Sequence, residues 1–390
     1  MPTSPISSAK VRFVPLGEVR GLEEWASGFR HLAKDHRYYE IVADTLGFHC
    51  RALVLEDECG RVLAIQPCFF VEQDLVVASP RAVRRVVGVA RRIFPSFLRL
   101  KLLMSGCAAG EGHLSPAISV NPAHLRLLDT ALRKAARENG ARMIVWKDFP
   151  ARYRKAFETL KASSEISPVA HVPSMPATRL ALDFASFDDY LARHLSHAMR
   201  KNLRRKFRAL DDAPPLRMSV TRDLGDEVDA ALALYEQVRA RSPLQFERLT
   251  KSFLQQLSAR MPERVRYFLW HQEGRLVAFS LCLVHDGAIH DEYLGLDYRV
   301  ALDLHLYFVT FRDILTWALA QGLTAYHSTP LNYGPKRHLG FALTPLDLYF
   351  ALPWPALNRL ARPLLQRMSP TGAEPTLTEF SNADEMKTTN

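Results

Sequence analysis

GRLVAFSLCLVHDGAIHDEYLGLDYRVALDLHLYFVTFRDILTWALAQGLTAYHSTPLNYGPKRHLGFALTPLDLYF, residues 274–350, is the stretch from which the fold can be read. Two extended apolar runs, Arg275 to Val284 and Ala288 to Leu294, flank Asp286-Gly287, a pair that tolerates positive φ and so closes a tight hairpin. Leu304, Tyr307, Phe308, Phe311, Ile314, Leu315 and Ala318 then recur at three- and four-residue spacing, the period of a helix with one buried face. Asp303 is its expected N-cap, and Gly322, just past the last periodic residue, its expected stop. A short strand (Leu323 to His327), a polar loop holding Lys336, and a last apolar strand near Leu346 to Phe350 complete an expected β-β-α-β unit.

Working outward, an earlier segment repeats these signals. Arg51 to Asp57 and Arg61 to Val71 read as strands joined by Glu58-Cys59-Gly60, and GRVLAI at Gly60 answers GRLVAF at Gly274. Pro122 to Glu138 reads as a helix ending at Asn139-Gly140, before the strand Arg142 to Lys147. The two copies differ in spacing: 140 − 60 = 80 in the first and 322 − 274 = 48 in the second, so the first carries 32 more residues. Much of that difference is the basic insertion 80–101, PRAVRRVVGVARRIFPSFLRLK, which has no counterpart in the second copy. Its Val83, Val86, Val87, Ala90, Ile93, Phe94 and Phe97 also allow an interfacial helix. The strand Leu102 to Ser105 follows and runs into the Gly-rich SGCAAGEGH.

The expected organisation is therefore a first half over 11–166, an extended crossover over 167–182 and a second half over 183–352, followed by a C-terminal helix and disordered tail over 353–390. The second half opens with an apolar stripe, Leu191, Leu195, Met199, Leu203, Phe207 and Leu210, read as one helix. Arg200, Lys201, Arg204 and Arg205 lie on its other faces, where they would suit a phosphate-rich ligand.

In order, G-R-x-V/L-A, the helix ended by Gly and Lys-x-x-x-Gly-Phe (Lys336, Gly340, Phe341) resemble the acyl-transfer domain of the GNAT superfamily. More narrowly they resemble its double-domain branch, which contains the Fem-type transferases. The resemblance implies tandem GNAT-like α/β domains, each a central, mostly antiparallel sheet flanked by helices. It implies an N-acyltransferase with no tightly bound cofactor, using acyl-CoA or acyl carrier protein as co-substrate and a primary amine on a small molecule or peptide as acceptor, or alternatively an aminoacyl-tRNA-dependent aminoacyltransferase acting on a peptide or peptidoglycan-type precursor. Lys336 matches the Fem-type lysine that helps hold the donor's ester carbonyl. Glu292, on the strand HDEYLGL, takes the place of the GNAT base, and Tyr293 that of an acid or a carbonyl contact. GNAT enzymes that use acetyl-CoA usually carry glycines at the turn into the long helix, so that backbone N–H groups reach the pyrophosphate. Here that turn is Arg299-Val300-Ala301-Leu302-Asp303-Leu304, with Arg299 kept and both glycines absent, which puts ordinary CoA binding in question.

Composition bounds the alternatives. A net charge of +10 favours phosphate-bearing partners. No run of eighteen apolar residues is present, prolines interrupt the apolar C-terminal stretch, and MPTSPISSAKVRF lacks the apolar core of an export signal. Five cysteines without a C-x-x-C pair fit a reducing cytoplasm, and no metal-ligand spacing occurs. The insertion 80–101 allows peripheral membrane contact. A second class of function stays open at this point: a non-catalytic tandem fold binding RNA, anionic lipid or a carrier protein, favoured by the lost glycines, whereas retention of Glu292, Tyr293 and Lys336 together favours the enzyme.

Overall fold

Four glycines mark the repeat in three dimensions. Gly60 and Gly274, at φ 78° and 74°, turn equivalent hairpins, and Gly140 and Gly322, at 71° and 69°, end equivalent helices. All four sit in the left-handed region that a Cβ disfavours. The computed structural model describes residues 9–74, 81–92, 99–161, 168–242 and 245–387.

The first copy runs through β1 (Lys10–Pro15), α1 (Glu23–Phe29), α2 (His36–Thr45), β2 (His49–Glu56), β3 (Val62–Asp74), α3 (Arg81–Ala90), β4 (Arg99–Ser105), α4 (Pro116–Ser119), α5 (Pro122–Glu138), β5 (Met143–Pro150), α6 (Arg154–Lys161), β6 (Ala170–Pro173) and β7 (Ala177–Ala181). The second runs through α7 (Phe187–His194), α8 (His197–Phe207), β8 (Leu216–Thr221), α9 (Val228–Arg239), α10 (Lys251–Arg260), β9 (Val265–Gln272), β10 (Arg275–His285), β11 (Ala288–Leu296), α11 (Leu306–Ala320), β12 (Ala325–Ser328), α12 (Tyr333–His338), β13 (Ala342–Thr344), β14 (Leu346–Ala351) and α13 (Pro355–Leu365).

Two seven-stranded sheets result, ordered β1-β2-β3-β4-β5-β14-β6 and β8-β9-β10-β11-β12-β7-β13. The strands β3 and β10, which open with the repeated G-R motif, both hold third place. In each sheet the fourth and fifth strands are a parallel pair, β4 with β5 and β11 with β12, and the other neighbouring strands are antiparallel. The sixth place is exchanged: β7 leaves the first copy to pair with β12, and β14 returns from the second copy to pair with β5 and β6. This corrects two expectations. The stretch 167–182 is a strand of each sheet rather than a plain crossover, and Leu346–Ala351 closes the first sheet instead of the second. Apolar patterning marks a strand as buried but carries no label for the sheet that will bury it.

The halves meet through an inner helical layer. There α1 and α2 cover the first sheet, α9 and α10 the second, and α2 packs on α10. Trp25, Phe29, Phe253 and Tyr267 are fully buried in one cluster that spans both halves. Burial of each such side chain contributes about 2–3 kcal/mol. Polar clamps fix the seam: Arg37 donates to the Arg260 carbonyl at 2.8 Å, Arg264 to the Ala33 carbonyl at 3.0 Å, and Arg260 pairs with Glu40. Outer helices cover the opposite faces, α5 and α6 on the first sheet and α7, α8 and α11 on the second.

Three local expectations also change. The single helix expected across Leu191 to Leu210 breaks at Leu195-Ser196, where the Ser196 side chain accepts from the Met199 N–H and starts α8 afresh. Asp303 does not cap α11; that position is His305, in the left-handed region at φ 50°. The tail expected to be disordered is ordered as far as Lys387: Leu377, Phe380 and Met386 are buried against Tyr333 and Leu343, and Asn382 bonds both backbone groups of Leu343. Ile93, Phe94 and Phe97, which the sequence put on the apolar side of the insertion, lie outside the described residues.

The Gly-rich run after β4 is explained by close packing. A Cβ at Gly112 would lie 2.4 Å from the Lys147 carbonyl oxygen and 2.6 Å from the Phe149 ring, so the loop rests directly on the backbone of β5. Gly112→Ala is expected to destabilise the chain by ~3 kcal/mol, toward the upper end for overpacked sites, which denaturant unfolding will measure.

Candidate functional site

The parallel strands β11 and β12 are paired from Ala288 alongside Ala325 to Asp291 alongside Ser328, and no further. Beyond that point they part, and the side chains that the sequence singles out gather there. On β11, Leu281 faces Tyr293 but Cys282 faces Asp291, so Glu292 is an extra residue in a β-bulge. A bulge shifts the alternation of faces by one position. Asp291 therefore points to the α11 side, while Glu292 and Tyr293 both point to the seam between the halves.

On the seam side, Glu292 pairs with Lys34 of the first half at 2.6 Å, with only 6% and 15% of the two side chains exposed. Burial works against the Lys34 charge, and the adjacent carboxylate of Glu292 more than offsets it, so the ammonium is held above its usual range. Tyr293 donates to Glu247 at 2.9 Å, and its ring packs edge-on to Tyr235 and Phe253. Burial pushes its hydroxyl well above the usual tyrosine value, which keeps it a neutral phenol. Tyr38 donates to the Ala109 carbonyl at 2.9 Å, and Lys147 to the Gly110 carbonyl at 3.0 Å. Burial raises the carboxyl of Glu111, in the same Gly-rich loop, against the opposing charge of Lys34.

On the α11 side, Asp291 accepts from Ser280 at 2.5 Å and from Tyr326 at 2.8 Å. Burial raises its carboxyl above the usual range despite those bonds and the charge of Lys336. Lys336 is buried, with 5% of the residue exposed, and donates to the Thr329 carbonyl at the parting of the strands. Burial pulls its ammonium down to about 8, with Asp291 acting in the opposite sense. Instead of lying in an open loop, it sits in the short helix α12, launched by two consecutive left-handed residues, Leu331 at φ 77° and Asn332 at 53°. Such a conformation costs roughly 1–3 kcal/mol at a non-glycine residue, and persists where the surroundings fix it.

The structure thus brings Glu292 and Tyr293 together and sets Lys336 with Asp291. No hydrogen bond or ion pair joins Lys336 to Glu292 or Tyr293 among the described residues. Asp291 and Lys34 are the groups that the sequence did not single out. Lys34 carries no local motif, and Asp291 competes with its neighbour until the bulge is known.

The phosphate candidates divide. Arg299 is turned onto the buried carboxylate of Asp297 at 2.8 Å. Arg200, Lys201, Arg204 and Arg205 have no carboxylate partner among the described residues; Arg200 donates to the Ala192 carbonyl and Arg205 to Asn202. Besides partial burial, the charges of Lys206 and Arg205 lower the His305 imidazole, so the basic face of α8 reaches the N-terminus of α11. That is where the parted strands, the helix dipole and the cations converge.

Residues 197–337 match the model of the acetyltransferase (GNAT) domain. Across the whole chain the structure is similar to that of FemX, with a TM-score of 0.53 at 11% identity, covering 92% of this chain and all of that one. A GNAT-type domain thus occupies residues 197–337, and the chain as a whole has the double-domain fold seen in FemX. Other similar shapes include L-PGS from Bacillus licheniformis (TM-score 0.48, 11% identity, 85% of this chain and 95% of that one). Saccharomyces cerevisiae N-myristoyltransferase is also similar (0.47, 11%, 90% and 81%). No curated protein matches the sequence significantly. Among the described residues no helix is long and apolar enough to cross a membrane, and no group of side chains could hold a metal ion.

Proposed function

We propose that this protein is an acyltransferase that moves an acyl group from acyl-CoA or acyl carrier protein onto a primary amine of a small molecule or peptide, at the parting of β11 and β12. The observation that carries the reading is Lys336, a buried cation fixed by a strained turn beside that opening. In the proposed reaction the donor's carbonyl oxygen lies near Lys336 Nζ, where negative charge grows as the amine attacks, and a charge in a water-poor site stabilises it more than water would. Glu292 acts as base toward the amine from the seam side, with Lys34 holding its carboxylate in place, and Tyr293 supplies a proton or a contact to the carbonyl. Five free thiols fit a reducing compartment, the cytoplasm, where acyl-CoA is supplied. Incubation with a panel of acyl-CoA, acyl-carrier and aminoacyl-tRNA donors, each with amine acceptors and read by intact mass, tests the proposal. Transfer from none of them would sink it.

The unpaired cations of α8 favour a second donor, aminoacyl-tRNA. If Arg200, Lys201, Arg204 and Arg205 neutralise phosphates, tRNA affinity should fall with salt by a log–log slope of roughly 0.7–0.9 per contact. Charge reversal at Arg204 and Arg205 should then lower the slope by roughly 1.4–1.8. Tight acyl-CoA binding with no tRNA affinity at low salt would decide for the thioester donor.

A further inference from the structure

The helix α13 is anchored by one side only. Asn358 is buried, accepting from the Leu352 N–H and donating to the Pro168 carbonyl, both at 2.8 Å, and Leu365 is buried in the core shared by the two halves. Beside that anchored side, Leu357, Leu360 and Leu364 are 52%, 81% and 66% exposed, and Met368 continues the row. At 100° per residue these four fall within about 80° of arc, a continuous apolar ridge rather than scattered single residues.

The charges along the ridge's own segment are of one sign. Between Leu348 and Ala373 the chain has no acidic residue, whereas Arg359, Arg362 and Arg367 lie on α13 and its C-terminal turn. None of the three has a carboxylate partner among the described residues. Trp354, at the start of the helix, is half-exposed and has the Arg142 guanidinium 5.8 Å from its ring. The insertion helix α3 leaves the sheet at the same end. Asp74 lies opposite Arg99 where β3 ends and β4 begins, Leu102 alongside Met143 where β5 begins, and Ala351 opposite Ile144 where β14 ends. There α3 presents Arg85 and Arg92 to solvent, with Val89 57% exposed.

We propose that α13, with α3 at the same end of the sheet, docks this end of the molecule onto an anionic lipid surface. The leucine ridge enters the headgroup boundary and the arginines lie at the level of the lipid phosphates. An apolar ridge whose own segment carries only cations complements such a surface: the apolar area supplies the partition, and each cation near the charged plane adds to it. A second copy of the same ridge would bring like charges together. The proposal does not depend on which acyl donor is used.

Co-sedimentation with vesicles tests it. The full chain should bind phosphatidylcholine vesicles containing about a third phosphatidylglycerol, should bind pure phosphatidylcholine at least ten-fold more weakly, and should be released by salt as charges are screened. Leu360→Glu with Leu364→Glu, at sites too exposed to affect folding, should lower the partition coefficient by about a hundred-fold. Arg359→Glu with Arg362→Glu should remove most of the preference for the anionic vesicles. The proposal fails if the full chain ignores anionic vesicles or if the leucine variant binds them equally well. It fails also if the chain is a dimer in solution that Leu360→Glu dissociates, which would assign the ridge to a second copy.

Discussion

Lys336→Met is expected to lower turnover on the order of a hundred- to a thousand-fold while leaving the chain folded, the usual loss when one donor to a developing oxyanion is removed. Methionine keeps most of the stem that packs beside Tyr333 and removes the charge. The pH profile separates this role from the obvious rival. With its ammonium pulled down to about 8, Lys336 is charged below that pH and neutral above it. A charge that stabilises the oxyanion makes turnover fall as pH rises through about 8, whereas a lysine acting as base would make it climb. A variant that is folded and turns over at the wild-type rate, with its native donor and acceptor, would remove this helix from the active site.

Stability gives a second readout on the same residue. The folded value lies below the usual 10.5, so the unfolded chain binds more protons between those two pH values, and the penalty for burying the charge is complete below about 8. Wild-type stability should therefore gain up to ~3 kcal/mol as pH rises from about 8 to about 10.5, relative to Lys336→Met followed over the same range. Parallel curves for the two proteins would show that the lysine is solvated, contrary to its position here.

The pair across the seam carries the other large effect. Lys34→Met leaves the Glu292 carboxylate buried without its cation and should destabilise the chain by about 3–5 kcal/mol. Glu292→Gln, made together with it, should restore most of that loss, because two neutral groups bury more cheaply than one unpaired charge. Denaturant unfolding of the two single variants and the double variant closes the cycle. Glu292→Gln alone tests the chemistry: if Glu292 is the base, its cost in turnover shrinks as rising pH deprotonates the acceptor amine. A loss that is independent of pH would reduce Glu292 to a structural partner of Lys34, and Asp291→Asn would be the next variant to assay.

Much of this was legible in the residues. The repeat showed because the backbone demands it: Gly60, Gly274, Gly140 and Gly322 occupy conformations that few other residues tolerate, so equivalent turns leave equivalent letters. The helix Pro122–Glu138 was read to the residue because Asn121 caps one end and Gly140 follows the other. What stayed hidden depends on partners distant in sequence. Nothing local to Lys34 foretells a carboxylate 258 positions away (292 − 34), and a β-bulge at Glu292 is visible only in the register against β10. The ordered tail was missed for a similar reason. Leu377, Phe380 and Met386 are too sparse to form an element of their own and are buried because α12 and β13 offer them a surface.

The exchange of β7 and β14 bears on how the chain is made. Among the described residues β6 pairs only with β14 in the first sheet, so residues 170–173 find no such partner until residues 346–351 have been synthesised, 178 positions later (351 − 173). At 5–20 residues per second that delay is on the order of ten to forty seconds. Throughout it the nascent first half presents an unpaired β5 edge, the kind of template that invites pairing with other chains. The ribosome thus releases a molecule whose amino-terminal sheet is among the last parts to be finished, and protection of that edge during translation falls to chaperones or to the speed of elongation.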